Sequence, residues 1–234
     1  MEKIWLKHYP PGVPAEIDVN EYESLRDIFE ESVSKYASRP AFTCMGKSIT
    51  FAELDTLSAA FGAWLQGIGG GKGTRVALMM PNILQYPVCL FGTIRAGAAV
   101  VNVNPLYTAR ELEHQLVDSG AEVIVVLENF AHTLAEVVKK TKVKHVIVTS
   151  MGELLGVKGV LVNFVVRRVK KMVKPWSIAH TVHLSDVLSE GRRRTLQRVA
   201  IGHDDIAFLQ YTGGTTGVAK GAMLLHRNII ANLL

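Results

Sequence analysis

Cysteine is scarce: Cys44 and Cys89 are the only two in 234 residues, with no CxxC and no Cys/His cluster at zinc spacing. That excludes a disulfide framework and a structural zinc site, and it fits a reducing cytoplasm. No apolar run reaches the roughly 20 residues a membrane span needs, because the most apolar stretch, residues 87–103, is broken by Arg95. Residues 1–14 mix charged, aromatic and proline positions without an apolar centre, so they do not read as a secretory signal. Internal repeats at solenoid periods are also missing. What is present is 48% hydrophobic and 20% charged residues, with 20 glycines and 8 prolines, which excludes a disordered tail, a collagen-like fibre and a low-complexity linker. The length suits one large α/β domain, or a domain plus part of another.

The formal net charge of +5 is local. Residues 154–185 contain no Asp or Glu but carry Lys158, Arg167, Arg168, Lys170, Lys171 and Lys174; the rest of the chain has 20 basic against 21 acidic residues. A basic patch on a nearly neutral fold argues against a nucleic-acid reader, as does the lack of aromatic-interleaved basic strands.

The chain opens with a helical stripe, Leu25, Ile28, Phe29, Val33 and Tyr36, expected to end by Pro40. Two β-like runs, 41–44 and 48–51, flank Met45-Gly46-Lys47, and Thr50 with Glu53 forms a capping box that opens a helix closed by Gly69-Gly70-Gly71. From Thr74 β-rich runs alternate with helical patterns: strand 75–79, helix 83–95, strand 98–103, helix 109–119, strand 122–127, helix 130–140, strand 143–149. Thr108 and Glu111 supply a second capping box. Continuous runs such as VIVVL are buried on both faces, so the expectation is an α/β fold, Rossmann-like, with a mainly parallel sheet and helices on both faces; residues 74–149 form its βαβ unit. Past Ser150 the rhythm loosens until a strand over 205–211, a Gly/Thr loop, a short strand over 222–225 and a helix start over 228–234. No stop signal follows, so the chain reads as an amino-terminal part of a longer protein.

The loop Tyr211-Thr212-Gly213-Gly214-Thr215-Thr216-Gly217-Val218-Ala219-Lys220-Gly221 follows a buried strand with four glycines, three threonines and a lysine. Glycine lets backbone N–H groups approach an anion, threonine hydroxyls donate further bonds, and an ammonium offsets phosphate charge. It is neither a Walker A loop nor GxGxxG, since Ala219 precedes and Gly221 follows the lysine. A plain glycine turn is the competing reading.

The string YTGGTTGVAKGAML (211–224) resembles the phosphate-binding signature of adenylate-forming enzymes, most closely bacterial long-chain fatty-acid–CoA ligases. The similarity extends through MPN (80–82), NVNPLYTARELEHQLVDSGA (102–121) and NFVVRRVKKMVKPW (163–176). It implies that residues 1–234 are the first part of a large AMP-binding domain, divided into the 74–149 unit, a basic segment over 154–185 and a strand–loop–strand over 205–225. It also implies two-step chemistry: a fatty-acid carboxylate attacks the α-phosphate of ATP, giving acyl-AMP and pyrophosphate, and the thiol of CoA then displaces AMP. Thr212, Gly213, Gly214, Thr215, Thr216, Gly217, Val218, Ala219, Lys220 and Gly221 are implied to hold the ATP phosphates, and Tyr211 to be the strand's last packed residue. Magnesium would accompany ATP. The family's metal-binding glutamate, adenine and ribose motifs and lid are not found in these residues, so the chain alone is expected not to turn over. Rival readings are a ligase for a short-chain, aryl or amino acid, and a membrane-binding module without catalysis.

On a helical wheel Val162, Val165, Val166, Val169, Met172 and Val173 share one face, opposite Asn163, Arg167, Lys170, Lys171 and Lys174. Two readings fit: an anionic membrane surface met by Arg167, Arg168, Lys170, Lys171 and Lys174, giving a peripheral location on the inner face, or an ordinary helix packed on the sheet. Remaining features draw structural readings. His226 is read as a capping or packing group, Cys44 and Cys89 as buried small side chains, and Asp204-Asp205 as a solvated strand entry; no histidine cluster suggests a metal. A sheet edge left open could be covered by a second copy, giving a homodimer.

Overall fold

A computed structural model of the chain describes residues 3–212 and 219–234. After two short 3-10 turns, α1 (Leu25–Tyr36) leads to the hairpin β1 (Pro40–Cys44) and β2 (Lys47–Thr50), then α2 (Phe51–Gly67). Alternation follows: β3 (Arg75–Met79), α3 (Gln85–Arg95), β4 (Ala99–Asn102), α4 (Ala109–Ser119), β5 (Val123–Leu127), α5 (Ala131–Val137), β6 (His145–Thr149) and α6 (Val157–Phe164). β7 (Thr181–His183), α7 (Leu184–Gly191), β8 (Ile206–Thr212), β9 (Lys220–Leu225) and α8 (His226–Leu233) complete it. α1 ends at Tyr36 as its stripe requires, and most other boundaries move by one to three residues from expectation; Pro40 opens a strand instead of merely ending the helix, and Phe51 is the first residue of α2 rather than the last of β2. Both capping boxes form, Thr50 with Glu53 and Thr108 with Glu111, each joining side chain to backbone in both directions.

Seven strands make one sheet in the order β7-β6-β5-β3-β4-β8-β9, parallel throughout except for the antiparallel β8–β9 pair. Period-two alternation distributes its side chains. Val76, Leu78, Val100, Val125 and Ile147 enter one core with α1, α2, α3 and α7, whereas Ala77, Met79, Val101, Ile124 and Val148 enter a second core with α4 and α5. Helices therefore cover both faces, as the continuous apolar runs require. Because β3 continues into α3 on one face and β4 into α4 on the other, a crevice opens between their carboxyl ends, the switch point at which open α/β sheets bind ligands.

The basic segment departs from its helical wheel. α6 ends at Phe164 and passes into one π-turn, Val165–Val169, after which Lys171 takes a left-handed φ of 48°, so Met172 and Val173 are not on the helix. Asn163, expected on the polar outer face, points inward, accepting from the Gly152 N–H at 2.7 Å and donating to Ser150 Oγ at 3.0 Å. Arg167 also turns to the protein and pairs with the Glu128 carboxylate. The face left to solvent is Val157, Val160, Leu161 and Phe164, with Val157 92% exposed.

Candidate functional site

Strand β8 runs two residues beyond its neighbour, since Gln210 pairs with Asn102, the last residue of β4, and Tyr211 and Thr212 project past it. Antiparallel β9 returns from the same end, with Thr212 opposite Lys220 and Tyr211 opposite Gly221. The two strands thus deliver both ends of the Gly/Thr loop to the carboxyl end of the parallel sheet, beside the switch point. Gly213, Gly214, Thr215, Thr216, Gly217 and Val218 lie outside the described residues. Thr212 and Lys220 are exposed, and the Lys220 ammonium has no partner among the described residues. Gly221 has a packing reason to be glycine, because a β-carbon there would sit 2.9 Å from the Tyr211 ring.

Tyr211 is a packed residue, 8% exposed in the second core, and its hydroxyl donates to Asp118 Oδ2 at 2.5 Å. Burial, followed by that carboxylate, pushes its phenol well up. The far end of the loop is held at Ala219, whose carbonyl accepts from His114 Nε2 at 3.1 Å. His114 and Asp118 both belong to α4, inside the 102–121 motif.

A cavity of about 240 Å³ fills the switch-point crevice, lined by Met80, Asn82, Tyr86, Asn102, Asn104 and Gln210 among others. The MPN and NVNPLY motifs, separated in sequence, meet here at the end of β8. A hydrogen-bond chain crosses its floor: Tyr86 Oη donates to Asn102 Oδ1 at 2.8 Å, and Asn102 Nδ2 to Gln210 Oε1 at 3.0 Å. Burial raises the Tyr86 phenol, so this donor stays protonated at neutral pH. The result is a neutral, hydrogen-bonding pocket beside the end of β8, where the hairpin also presents the exposed Lys220. Sequence reading does not single out Tyr86, Asn102 or Gln210 as site residues; Asn102 and Gln210 share a signal in lying at the carboxyl ends of parallel strands, whereas Tyr86 enters from the first turn of α3.

Other candidates have structural roles. His226 is buried and accepts the Leu25 N–H on Nδ1 at 3.1 Å. Cys89 is buried and its thiol is pushed up by desolvation, while Cys44 is only half-buried, against expectation. Asp205 bonds Lys72 and the Gly202 N–H, and Asp204 pairs with Arg227. Among the described residues no group of three or more His, Cys, Asp or Glu side chains converges as a metal site, and no helix is long and apolar enough to cross a membrane.

The AMP-binding enzyme family model matches residues 29–234. The whole chain is 57% identical to a long-chain-fatty-acid–CoA ligase of Escherichia coli O157:H7, spanning 42% of that protein, and 33% identical over 99% of its length to one of Bacillus subtilis strain 168. Among solved structures it matches a long-chain-fatty-acid–CoA ligase of Archaeoglobus fulgidus at 28% identity, with TM-score 0.69, covering 96% of this chain and 40% of the other. An anthranilate CoA ligase in complex with anthranoyl-AMP shares the fold at TM-score 0.73 and 21% identity, over 90% of this chain and 37% of the other. The chain thus spans about two fifths of the length of the curated relatives it matches.

Proposed function

This chain belongs to the AMP-binding enzyme family, and from that premise we propose that it carries the phosphate-binding part of an ATP-dependent long-chain fatty-acid–CoA ligase. The observation that carries the reading is the β8–β9 ladder, which brings Thr212 and the exposed Lys220 to the carboxyl end of the sheet beside the switch-point cavity. A carboxylate oxygen attacks the α-phosphorus of ATP and pyrophosphate leaves; the CoA sulfur then attacks the acyl carbon and AMP leaves. The loop, Thr212 to Gly221, holds the β- and γ-phosphates, and its lysine offsets charge on the departing pyrophosphate, a task of positioning and electrostatics. Magnesium accompanies the nucleotide, with its protein ligand outside these residues.

The test is fatty-acid-dependent exchange of pyrophosphate into ATP, run on this chain and on a version with the length of its relatives, each with a Thr215→Ala, Lys220→Ala double variant. Exchange in the longer protein, abolished by the variant, is expected. A panel of fatty, aryl and amino acids identifies the substrate class; no exchange with any acid in the folded longer protein refutes the reading.

A second element of the proposal is a peripheral location on an anionic membrane surface, the inner face of the cell membrane. It is supported by α6, whose exposed Val157, Val160, Leu161 and Phe164 lie beside Arg168, Lys170, Lys171 and Lys174, four exposed cations without partners among the described residues. Apolar side chains at the acyl boundary with cations at the headgroups is the interfacial pattern. Sedimentation with anionic but not neutral vesicles, lost in Leu161→Glu, Phe164→Glu, supports it. Absence of vesicle binding refutes it, and a doubled mass in solution that the same substitutions abolish would assign the face to a homodimer.

A further inference from the structure

The two ends of the Gly/Thr loop are tied to the same helix. Tyr211, the last packed residue before the loop, donates its hydroxyl to Asp118 at 2.5 Å, and Ala219, just after it, accepts from His114 at 3.1 Å. A carbonyl oxygen can only accept, so His114 is held as the tautomer with its proton on Nε2. His114 and Asp118 are four residues apart, one above the other on one face of α4. α4 itself is fixed to the sheet: Leu112 and Leu116 are fully buried in the second core, and Gln115 Nε2 donates to the Asn102 carbonyl at 2.8 Å.

We infer that α4 is a positioning clamp for the phosphate loop, with Asp118 holding its entry through Tyr211 and His114 holding its exit through the Ala219 carbonyl. This rests on the ligase reading for what the loop binds, but not for the clamp itself. Holding Tyr211 and Ala219 on one rigid helix fixes the two positions from which the phosphate-binding residues start and end, so the interaction is felt as nucleotide affinity. Both residues act through the ends of the loop, Asp118 on Tyr211 and His114 on Ala219. The clamp also gives the 102–121 motif a functional reason. Its cap fixes where α4 begins, and the buried Leu112 and Leu116 set the register in which His114 and Asp118 meet the hairpin.

The experiment uses the protein at the length of its relatives, with Asp118→Ala, His114→Ala and their double variant, and Asp118→Asn with His114→Gln as conservative replacements that keep an acceptor and a donor. Two readouts are independent: KM and kcat for ATP in acid-dependent exchange, and the rate of tryptic cleavage after Lys220 without nucleotide. The double variant is expected to raise KM for ATP roughly tenfold with the fatty-acid KM unchanged, and to speed cleavage after Lys220 several-fold, as expected for a loop end released from its anchor. The conservative pair restores both. Tyr211→Phe is expected to add nothing to Asp118→Ala, since they remove the same bond. Wild-type cleavage and wild-type ATP KM in the double variant overturn the clamp, as does a fall in melting temperature that moves both KM values together. Should the unsubstituted protein show no exchange with any acid, the ligase reading fails while the cleavage rates still decide the clamp.

Discussion

Lowering the pH should destabilise this protein through one histidine. His226 begins α8, directly after the strand that returns from the loop; its own N–H donates to the Asp205 carbonyl and its Nδ1 accepts the Leu25 N–H at the start of α1. The ring is 2% exposed, and burial pushes its pKa down to about 4, with Arg26 and Lys72 adding to the depression and Asp205 and Asp27 opposing it. The folded value lies below the unfolded value of about 6.5. The unfolded chain therefore takes up the proton first, and the stability His226 contributes is complete above that pH and lost as pH falls toward 4. Between pH 7 and pH 5 the loss from this group is about 2 kcal/mol. Protonation would also remove the only acceptor that the Leu25 N–H has among the described residues, loosening the contact between α1 and the base of the hairpin. Urea unfolding at pH 7, 6 and 5, compared with His226→Gln, isolates the contribution, because glutamine keeps an acceptor and does not titrate. Wild type should lose about 2 kcal/mol more than the variant over that interval; parallel pH profiles for the two would refute the reasoning.

Gly221→Ala places a β-carbon 2.9 Å from a Tyr211 ring held at its hydroxyl by Asp118, so a destabilisation of about 1–3 kcal/mol is expected by calorimetry, and removing the Tyr211 anchor with Asp118→Ala should relieve part of it. Gly159→Ala meets the Gly152 carbonyl oxygen at 1.8 Å, a backbone atom no rotamer change can move, so α6 must lift from the 150–153 turn. Its melting temperature should fall while Val157→Ala, at an exposed position, leaves it within error. Thr50→Ala removes a formed capping box and should cost about 1 kcal/mol in urea unfolding.

The parts of the fold legible in sequence are those with a local cause. β5 reads VIVVL because a central parallel strand is covered on both faces, and all five residues are buried. Thr50 and Thr108 announce helix starts because a hydroxyl and a carboxylate three residues apart satisfy end groups that no other part of the chain can reach. β7 and α7 escaped, since β7 is three residues at the sheet edge, two of them Thr181 and His183, and neither alternation nor a long apolar run marks it. The site divides similarly. The loop is visible as a string, but its anchors are not: Asp118 and Tyr211 are 93 residues apart, and His114 and Ala219 are 105 apart. What sequence does contain is half of that result. Once Leu112 and Leu116 are taken as the buried stripe of α4, His114 and Asp118 fall together on the side of the helix away from it, and only the strand order decides that this side meets the hairpin rather than solvent.

The basic helix shows why a wheel fails even where its residues are well chosen. A wheel over 162–173 assumes an unbroken 3.6-residue period, whereas the chain inserts a π-turn at Val165–Val169 and then stops. A π-turn uses an i to i+5 spacing, so Val169 follows Phe164 on the exposed side instead of joining Val162, Val165 and Val166, which are half-buried against the protein. The segment has enough apolar residues to supply two faces, one against the fold and one against solvent, and a moment calculated for one period merges them. Val157, Val160, Leu161 and Phe164 therefore gain nothing from the core that Val162 joins, and serine or lysine at those four places would leave its packing unchanged. Folding alone does not ask for four large apolar side chains there, and an exposed apolar face near cations without partners among the described residues calls for an explanation outside this chain's own core.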